Sequence, residues 1–170
     1  MNILKGTCVK VTQDVIDKIG IKTVFVLENI GIPNKIVPIG GCDFKILSSP
    51  YIKNGYLILG KITNSESTHY LIMDISNENI YVEWNYNLHP ERVFINSNIE
   101  NLLLCNYIYN FFIHRLIISE ALGAYYDNNE GGNYYKYADL LQAMISDTDK
   151  TAIKRGVWYS LIQEMRLGVI

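Results

Sequence analysis

The sequence predicts an α+β fold in which an antiparallel sheet of about five or six strands is flanked by helices. Three features of the chain lead to this prediction. Apolar residues recur at helical spacing near both ends, they alternate with polar residues in the middle, and turn-forming residues separate the alternating segments. With 170 residues, of which 49% are hydrophobic, the chain suits one domain over residues 1–170 with a substantial core.

Two short helices are predicted at the start of the chain. The first covers Thr12 to Ile19, with Val15, Ile16 and Ile19 on one side, and the second covers Lys22 to Asn29. Gly31 and Pro33 follow the second helix, where a glycine commonly ends a helix and a proline cannot continue it. A strand is the alternative for the second segment, because residues Val24 to Val26 are β-branched or aromatic.

A first pair of strands is predicted from Cys42 to Leu47 and from Tyr56 to Ile62. Ser48, Ser49 and Pro50 favour a turn directly after the first of these strands, and Asn54 with Gly55 favours another before the second. The two strands are therefore expected to be joined by a turn-rich connection.

A second pair of strands is predicted from His69 to Ile75 and from Asn79 to Trp84. Residues 76–78 include Asn77, and asparagine tolerates the left-handed backbone of a tight turn, so this pair is predicted to form an antiparallel hairpin. Apolar and polar residues alternate in the second arm, which implies one buried face and one face in water. A further short strand is predicted from Arg92 to Ile95.

A long helix is predicted to begin at Ser97 and to end near Gly123. Ser97 and Glu100 have the spacing of a capping box, in which each side chain hydrogen-bonds the backbone N–H of the other residue. Helical spacing then brings one set of side chains together on the surface of the helix. These are Leu103, Tyr107, Phe111 and His114.

The last third of the chain is predicted to contain a loop and two more helices. Tyr125 to Tyr135 is a loop by composition, and Tyr137 to Ile145 is a helix. The terminal helix is expected to be capped by Asp149 and ended by Gly168. Four large apolar side chains share one side of it at helical spacing. They are Trp158, Leu161, Ile162 and Met165.

Charge and cysteine content argue against several classes of protein. The net charge is −2 and the basic residues are scattered, so no direct nucleic-acid binding is expected. Cys8, Cys42 and Cys105 are widely spaced, which fits reduced core thiols in a cytoplasmic protein better than a disulfide framework. The N-terminus does not resemble a signal peptide. No uninterrupted apolar run reaches the ~20 residues that a membrane span needs.

Residues that could perform catalysis or hold a metal are not grouped in any motif. His69, His89 and His114 lack the paired His, Cys or carboxylate spacing of metal ligands. No nucleophile or phosphate-binding motif occurs either. We therefore expect no enzyme activity, no cofactor and no metal. An enzyme assembled from distant residues remains the alternative, and it would show a deep pocket with titratable groups of shifted pKa.

A tyrosine-rich loop is the first candidate for a recognition surface. Tyrosine offers a large contact area at low entropic cost, and neighbouring carboxylates suit a basic partner. The alternative is a solvated loop whose tyrosines cover the core. The candidate partner-binding residues are Tyr125, Tyr126, Asp127, Glu130, Tyr134 and Tyr135.

The predicted second hairpin is the other candidate for a recognition surface. Its tip and its face in water carry carboxylates beside a tyrosine, which again suits a basic partner. A plain exposed hairpin without a partner is the alternative. The candidate partner-binding residues are Asp74, Glu78, Tyr81 and Glu83.

The order of these segments resembles the SUKH superfamily, named for the yeast cell-wall regulator Smi/Knr and related proteins. The similarity is greatest to its fourth subfamily, which consists of bacterial immunity proteins. Five segments in the order of the family support the resemblance. They are Leu27 to Pro33, Tyr56 to Gly60, Tyr70 to Asp74 followed by Ile80 to Val82, Phe94 to Leu103, and Asp149 to Ile153 with Trp158 and Glu164.

The resemblance implies a single SUKH-like α+β domain without catalytic residues. It implies a cytoplasmic immunity protein whose partner is a toxin domain of a bacterial competition system, often a nuclease or a deaminase. Such a protein would neutralise the toxin by occluding its active site through a large complementary interface. The alternative is a non-catalytic scaffold or regulatory module of the Smi/Knr kind with no toxin partner.

Overall fold

The computed structural model describes residues 6–36, 44–63, 67–85, 90–113 and 134–168. The first described elements are the helices α1 (Gln13–Ile16) and α2 (Ile21–Phe25), and α2 continues directly as a π-helical segment, Val26–Ile30. The strands are β1 (Lys45–Lys53), β2 (Tyr56–Thr63), β3 (Thr68–Asp74), β4 (Ile80–Trp84) and β5 (Glu91–Asn96). The later helices are α3 (Ile99–Phe111), α4 (Tyr134–Thr148) and α5 (Val157–Arg166).

The five strands form one sheet in chain order, and each strand is antiparallel to its neighbour. The predicted α+β class is therefore confirmed. Strands β1 and β2 are joined at Asn54 and Gly55, whose φ angles are 52° and 82°. Two successive residues with positive φ match the right-handed twist of the flanking strands, which explains the Asn-Gly pair at this turn.

Strand β1 differs from its prediction. It begins at Lys45 and continues through residues 48–50, so the predicted turn there is wrong. A shift in the pairing register with β2 lies between Ile46 and Tyr51 and accommodates the irregular stretch. Pro50 is tolerated because β1 is an edge strand, where a missing N–H donor need not break a ladder.

The hairpin between β3 and β4 is confirmed, but its left-handed residue is Glu78 (φ 60°) and not Asn77. The Glu78 carboxylate accepts a hydrogen bond from the Gly20 N–H at 2.6 Å and from the Thr23 hydroxyl at 2.8 Å. These contacts to the start of α2 hold the side chain of Glu78, which explains an unusual backbone angle at a glutamate.

The start of α3 is one residue later than predicted. Asn98 is the N-cap, and its side-chain oxygen accepts the Asn101 N–H at 2.8 Å. The predicted capping box at Ser97 is therefore wrong. The Ser97 hydroxyl donates to Asp149 at 2.8 Å instead, and a hydroxyl that donates to this carboxylate is turned away from the free amides of the helix.

The predicted cap of the terminal helix at Asp149 is also wrong, because α5 begins at Val157. Asp149 is buried and binds the junction between β5 and α3. Its carboxylate accepts hydrogen bonds from the Ser97 N–H at 2.7 Å and from the Asn96 side-chain amide at 3.0 Å. One buried carboxylate therefore connects the end of the sheet with the segment that leads into α5.

The remaining helix predictions are met in part. Helix α1 is shorter than predicted, since it ends at Ile16. The second predicted segment is helical, so its strand alternative is wrong. Helix α4 begins at Tyr134 and includes Tyr135, so the prediction of a loop at these two residues is wrong. His114 and Gly123 lie outside the described residues.

The core lies between one face of the sheet and the helices. Sheet residues facing it alternate along each strand, and α5 contributes all four apolar residues predicted for its buried side. The core includes Leu57, Leu71, Met73, Ile80, Val82, Leu102, Leu141, Ile145, Trp158, Leu161, Ile162 and Met165. None of the helices in the described ranges is long and apolar enough to cross a membrane.

The cysteines do not all behave as core thiols. Cys105 is buried, as predicted, whereas Cys8 is exposed, so the prediction is wrong for that residue. Cys8 precedes the buried Val9 in the segment before α1, and its side chain points to solvent while Val9 points into the core. Cys42 lies outside the described residues.

Candidate functional site

The face of the sheet opposite the core, called the open face below, carries three cross-strand rows of side chains. Paired residues project to the same face, so the pairing registers define the rows. The middle row is Tyr51, Ile58, Ile72, Tyr81 and Phe94. The flanking rows are Lys45, Lys61, Tyr70, Glu83 and Arg92 on one side, and Lys53, Tyr56 and Asp74 on the other. Ile58 and Ile72 are buried but do not belong to the main core cluster.

A polar pocket of about 380 Å³ opens on this face. Its walls combine tyrosine rings with charged and amide side chains. Tyr51 is 47% exposed, and the other tyrosines of the face are half-buried. Its lining residues include Tyr51, Lys53, Tyr56, Tyr70, Glu83 and Arg92.

Arg92 is held in one position at the edge of this pocket. Its Nε donates to Glu83 at 2.8 Å, its Nη1 donates to the Tyr56 hydroxyl at 3.1 Å, and its guanidinium lies 4.2 Å from the centre of the Tyr56 ring. The hydrogen bond to Glu83 is the main reason that the pKa of Arg92 lies above its ordinary value. The open face therefore presents a permanent, preorganised cation.

His69 fixes the sheet beside the pocket. It is buried, its Nδ1 accepts the Asn85 N–H at 3.0 Å, and its ring meets the Trp84 ring edge-on at 4.9 Å. The Asn85 side chain in turn donates to the Thr68 carbonyl at 2.6 Å. Because Asn85 lines the pocket, these contacts determine the shape of its wall.

The predicted hairpin residues differ in the contacts that they make. Tyr81 and Glu83 lie on the open face, where the Tyr81 ring packs edge-on against Phe94 at 5.7 Å. Asp74 lies at the edge of the same face, but its carboxylate builds the turn, since it accepts the Ser76 N–H at 2.8 Å and the Ser76 hydroxyl at 2.7 Å. Glu78 anchors α2 as described above. The structure thus brings three of the four residues to the open face, and it gives Asp74 and Glu78 structural contacts.

The residues predicted from the tyrosine-rich loop cannot be placed together. Tyr125, Tyr126, Asp127 and Glu130 lie outside the described residues. Tyr134 and Tyr135 form the first turn of α4, and the Tyr135 side chain is 59% exposed there. Tyr135 is therefore accessible to a partner, but from a helix and not from a loop.

A second surface is an apolar groove between the π-helical segment and α3. Its volume is about 540 Å³, and several of its apolar side chains are about half exposed. The side chains of Leu103 and Tyr107, predicted to share a surface of the long helix, line this groove. Its other lining residues include Phe25, Ile30, Pro33, Glu100 and Leu104.

Among the described residues, the pocket on the open face holds one carboxylate, Glu83, together with Lys53 and Arg92. Across the described ranges, no group of three or more His, Cys, Asp or Glu side chains could hold a metal ion. Three described groups have clearly shifted pKa values. Asp149 and Cys105 lie in the buried junction between β5, α3 and the segment before α5, whereas Arg92 lines the pocket on the open face.

Sequence reasoning missed most of the open face. Tyr51 and Lys53 were not recognised because the predicted first strand ended before them. Arg92 was not recognised because its partner Glu83 lies on a different strand. Period-two spacing at Tyr56–Ile58 and at Tyr70–Ile72 was available as a signal. The strand registers that align these pairs could not be read from the sequence.

Comparison of the chain with protein families, curated proteins and solved structures found no match.

Proposed function

We propose that this protein is a non-catalytic binding protein, an immunity protein whose open face covers a toxin domain. The observation that carries the proposal is the set of tyrosines that surrounds the anchored Arg92 and its pocket on the open face. Tyrosine and arginine dominate binding energy at many interfaces, because they bury a large area and still offer a polar group to the partner. The sequence resemblance to immunity proteins supports the kind of partner.

Inhibition would follow from occlusion. The five strands span about 19 Å at a spacing of about 4.8 Å, and the longer strands extend for roughly 25 Å. This area is of the same order as the about 800 Å² that each partner buries in a stable interface. A toxin held on this face by its catalytic side would lose access to its substrate.

A scaffold that joins two partners is the second candidate, and the apolar groove favours it. Within the described ranges, the groove and the pocket on the open face share no lining residue. Phe25 is 58% exposed and Leu104 is 51% exposed there, which leaves apolar area for a second contact. A scaffold would bind one partner on the open face and another in the apolar groove, whereas an immunity protein needs only one binding surface.

Affinity capture followed by growth rescue tests the proposal. The purified protein is passed over lysate of its source organism, and retained proteins are identified by mass spectrometry. We expect a fragment from the end of a large secreted protein, whose toxicity on expression in a host is suppressed by co-expression of this chain. Failure of every captured candidate to be toxic, or of this chain to restore growth, would contradict the immunity function.

A matched pair of variants locates the binding surface. Tyr51→Ala removes a tyrosine that is 47% exposed on the open face, and Tyr159→Ala removes one that is 45% exposed on α5. We expect the first to weaken toxin binding by about tenfold or more and the second to leave it unchanged. Equal effects of the two would mean that the open face is not the interface.

The tyrosine-rich segment is tested separately. If Asp127 and Glu130 contact the toxin, replacing both with lysine should weaken binding while the melting temperature stays nearly constant. Unaltered affinity would eliminate that segment as the charged contact.

A further inference from the structure

The open face is basic, although the chain as a whole has a net charge of −2. The described side chains on it include four cations and two carboxylates. They are Lys45, Lys53, Lys61 and Arg92, with Asp74 and Glu83. Both carboxylates are occupied, because Glu83 is paired with Arg92 at 2.8 Å and Asp74 accepts hydrogen bonds from its own turn. Among the described residues, the three lysines of this face therefore have no carboxylate partner.

Lys45 and Lys61 are directly opposite each other on neighbouring strands, and both are exposed. Like charges at directly opposed positions destabilise a sheet. Neither ammonium group forms an ion pair with a carboxylate in the described part of the chain. The two lysines thus concentrate positive charge at one place on the sheet and lower the stability of the folded state.

We infer that the open face binds an acidic protein segment, and this inference rests on the proposed function because it names the chemistry of the partner. Carboxylates of the partner meet the lysine pair at one corner of the face and Lys53 beside the pocket at another. Apolar parts of the partner cover the tyrosines between these corners. Complementary charge of this kind sets specificity and speeds association.

An acidic protein fits this face better than a single-stranded nucleic acid does. Base stacking needs free aromatic ring faces. Two of the four described tyrosine rings of the face are already in contact with other side chains, since the Tyr56 ring is covered by the Arg92 guanidinium at 4.2 Å and the Tyr81 ring packs against Phe94 at 5.7 Å. The cations also lie at separate corners of the sheet, whereas a nucleic-acid backbone needs a continuous basic track.

A titration followed by nuclear magnetic resonance tests the inference without the toxin. The probe is a short peptide of alternating glutamate and tyrosine, added to the labelled full-length protein. We expect shift changes confined to amides of the open face, and binding that weakens as salt is raised. The double variant Lys45→Glu/Lys61→Glu should weaken peptide binding by about tenfold.

The control has the same change of charge elsewhere. Lys18→Glu/Lys22→Glu alters two exposed lysines near α1 and α2 and should leave peptide binding unchanged. The same peptide with lysine in place of glutamate should not bind. Tighter binding of a short oligothymidylate than of the acidic peptide would overturn the inference, as would shift changes scattered over the surface or equal effects of the two double variants.

The tests distinguish failure of the acidic contact from failure of the proposed immunity function. A captured toxin that still binds the Lys45→Glu/Lys61→Glu variant with full affinity would contradict the acidic contact and leave immunity intact. Failure of growth rescue together with a localised peptide site would reject immunity and keep the acidic-binding surface.

Discussion

At the scale of single residues, Asp149 makes a set of buried hydrogen bonds that the sequence pattern did not predict. Besides Ser97 and Asn96, the backbone N–H groups of Thr151 and Ala152 donate to it at 3.1 and 3.2 Å. Burial disfavours its charge, but the hydrogen bonds from Ser97, Asn96 and Ala152 outweigh burial and hold the pKa of Asp149 below its ordinary value. A satisfied carboxylate of this kind stabilises the fold only while it is ionised.

The first prediction concerns the pH dependence of this stabilisation. Because the pKa of Asp149 is lower in the folded state, its contribution is complete well above about pH 4 and is lost as the pH falls through the folded value. Asp149→Asn should cost roughly 2–4 kcal/mol at neutral pH, and the cost should shrink in acid. Urea unfolding at several pH values measures it. Asp147→Asn changes an exposed neighbour and should show no such trend.

The second prediction separates two cysteines. Burial raises the pKa of the Cys105 thiol to about 12, against the opposing hydrogen bond from Asn96 at 3.3 Å. Since the thiolate is the reactive form, iodoacetamide should label Cys105 only after unfolding, whereas the exposed Cys8 should react in the native protein. Peptide mass spectrometry of each site gives the rates. Comparable native rates at both sites would refute the assignment.

At the scale of elements, two glycines mark connections with different requirements. Gly55 has a φ of 82° but open space where a Cβ would lie. Gly156 has a φ of 80° and lies against β5, so a Cβ there would overlap the carbonyl group of Phe94. The turn therefore requires glycine at position 55 only for its positive φ angle. The start of α5 requires glycine at position 156 both for its positive φ angle and for its close approach to the sheet.

The third prediction compares alanine at these two glycines. Gly55→Ala should lower the unfolding free energy by about 1 kcal/mol, from the strained backbone alone. Gly156→Ala should cost clearly more, because β5 and α5 must separate to admit the methyl group. Chemical denaturation measures both, and a milder effect at Gly156 would contradict the close packing.

The fourth prediction uses the two faces of α3. Leu102 is fully buried, whereas Leu104 is 51% exposed at the apolar groove. Leu102→Ala should cost about 2–5 kcal/mol through lost burial and a cavity, and Leu104→Ala should change stability by about 0.5 kcal/mol or less. Thermal unfolding of both variants tests this. A large loss at Leu104 would mean that the groove belongs to the core.

At the scale of the whole molecule, the open face carries both the repulsion between Lys45 and Lys61 and the proposed binding surface. The opposed lysines reduce stability, and the proposed acidic partner would offset that cost by supplying the missing charge. Stability and binding should therefore respond in opposite directions when one lysine is reversed.

The fifth prediction tests this opposition. Lys61→Glu places a carboxylate opposite Lys45 and should raise the unfolding free energy by roughly 0.2–1 kcal/mol while weakening binding of the acidic peptide. Lys45→Glu should do the same. The double variant restores a like-charge pair and should lose the gain, so a double-mutant cycle of urea unfolding isolates the coupling. Additive effects of the two changes would show that the lysines do not interact.

Local patterns predicted the α+β class, the Asn-Gly turn, the β3–β4 hairpin and the buried side of α5, because each depends on residues close in sequence. The same patterns failed at the caps. Ser97 and Asp149 each had the chemistry of a helix cap, but they hydrogen-bond each other across the fold. A local signal cannot reveal a competing partner that is distant in the chain.

The sequence by itself determined the order of the strands and helices and the apolar side of the β4 strand and of α5, because alternation and helical spacing are local properties of the chain. Only the tertiary structure decided what the polar side of the sheet presents. Strand registers aligned Lys45 with Lys61 and Glu83 with Arg92, and a shift of one residue would have turned these side chains to the core face. The surface on which the proposed function depends is therefore a product of strand pairing.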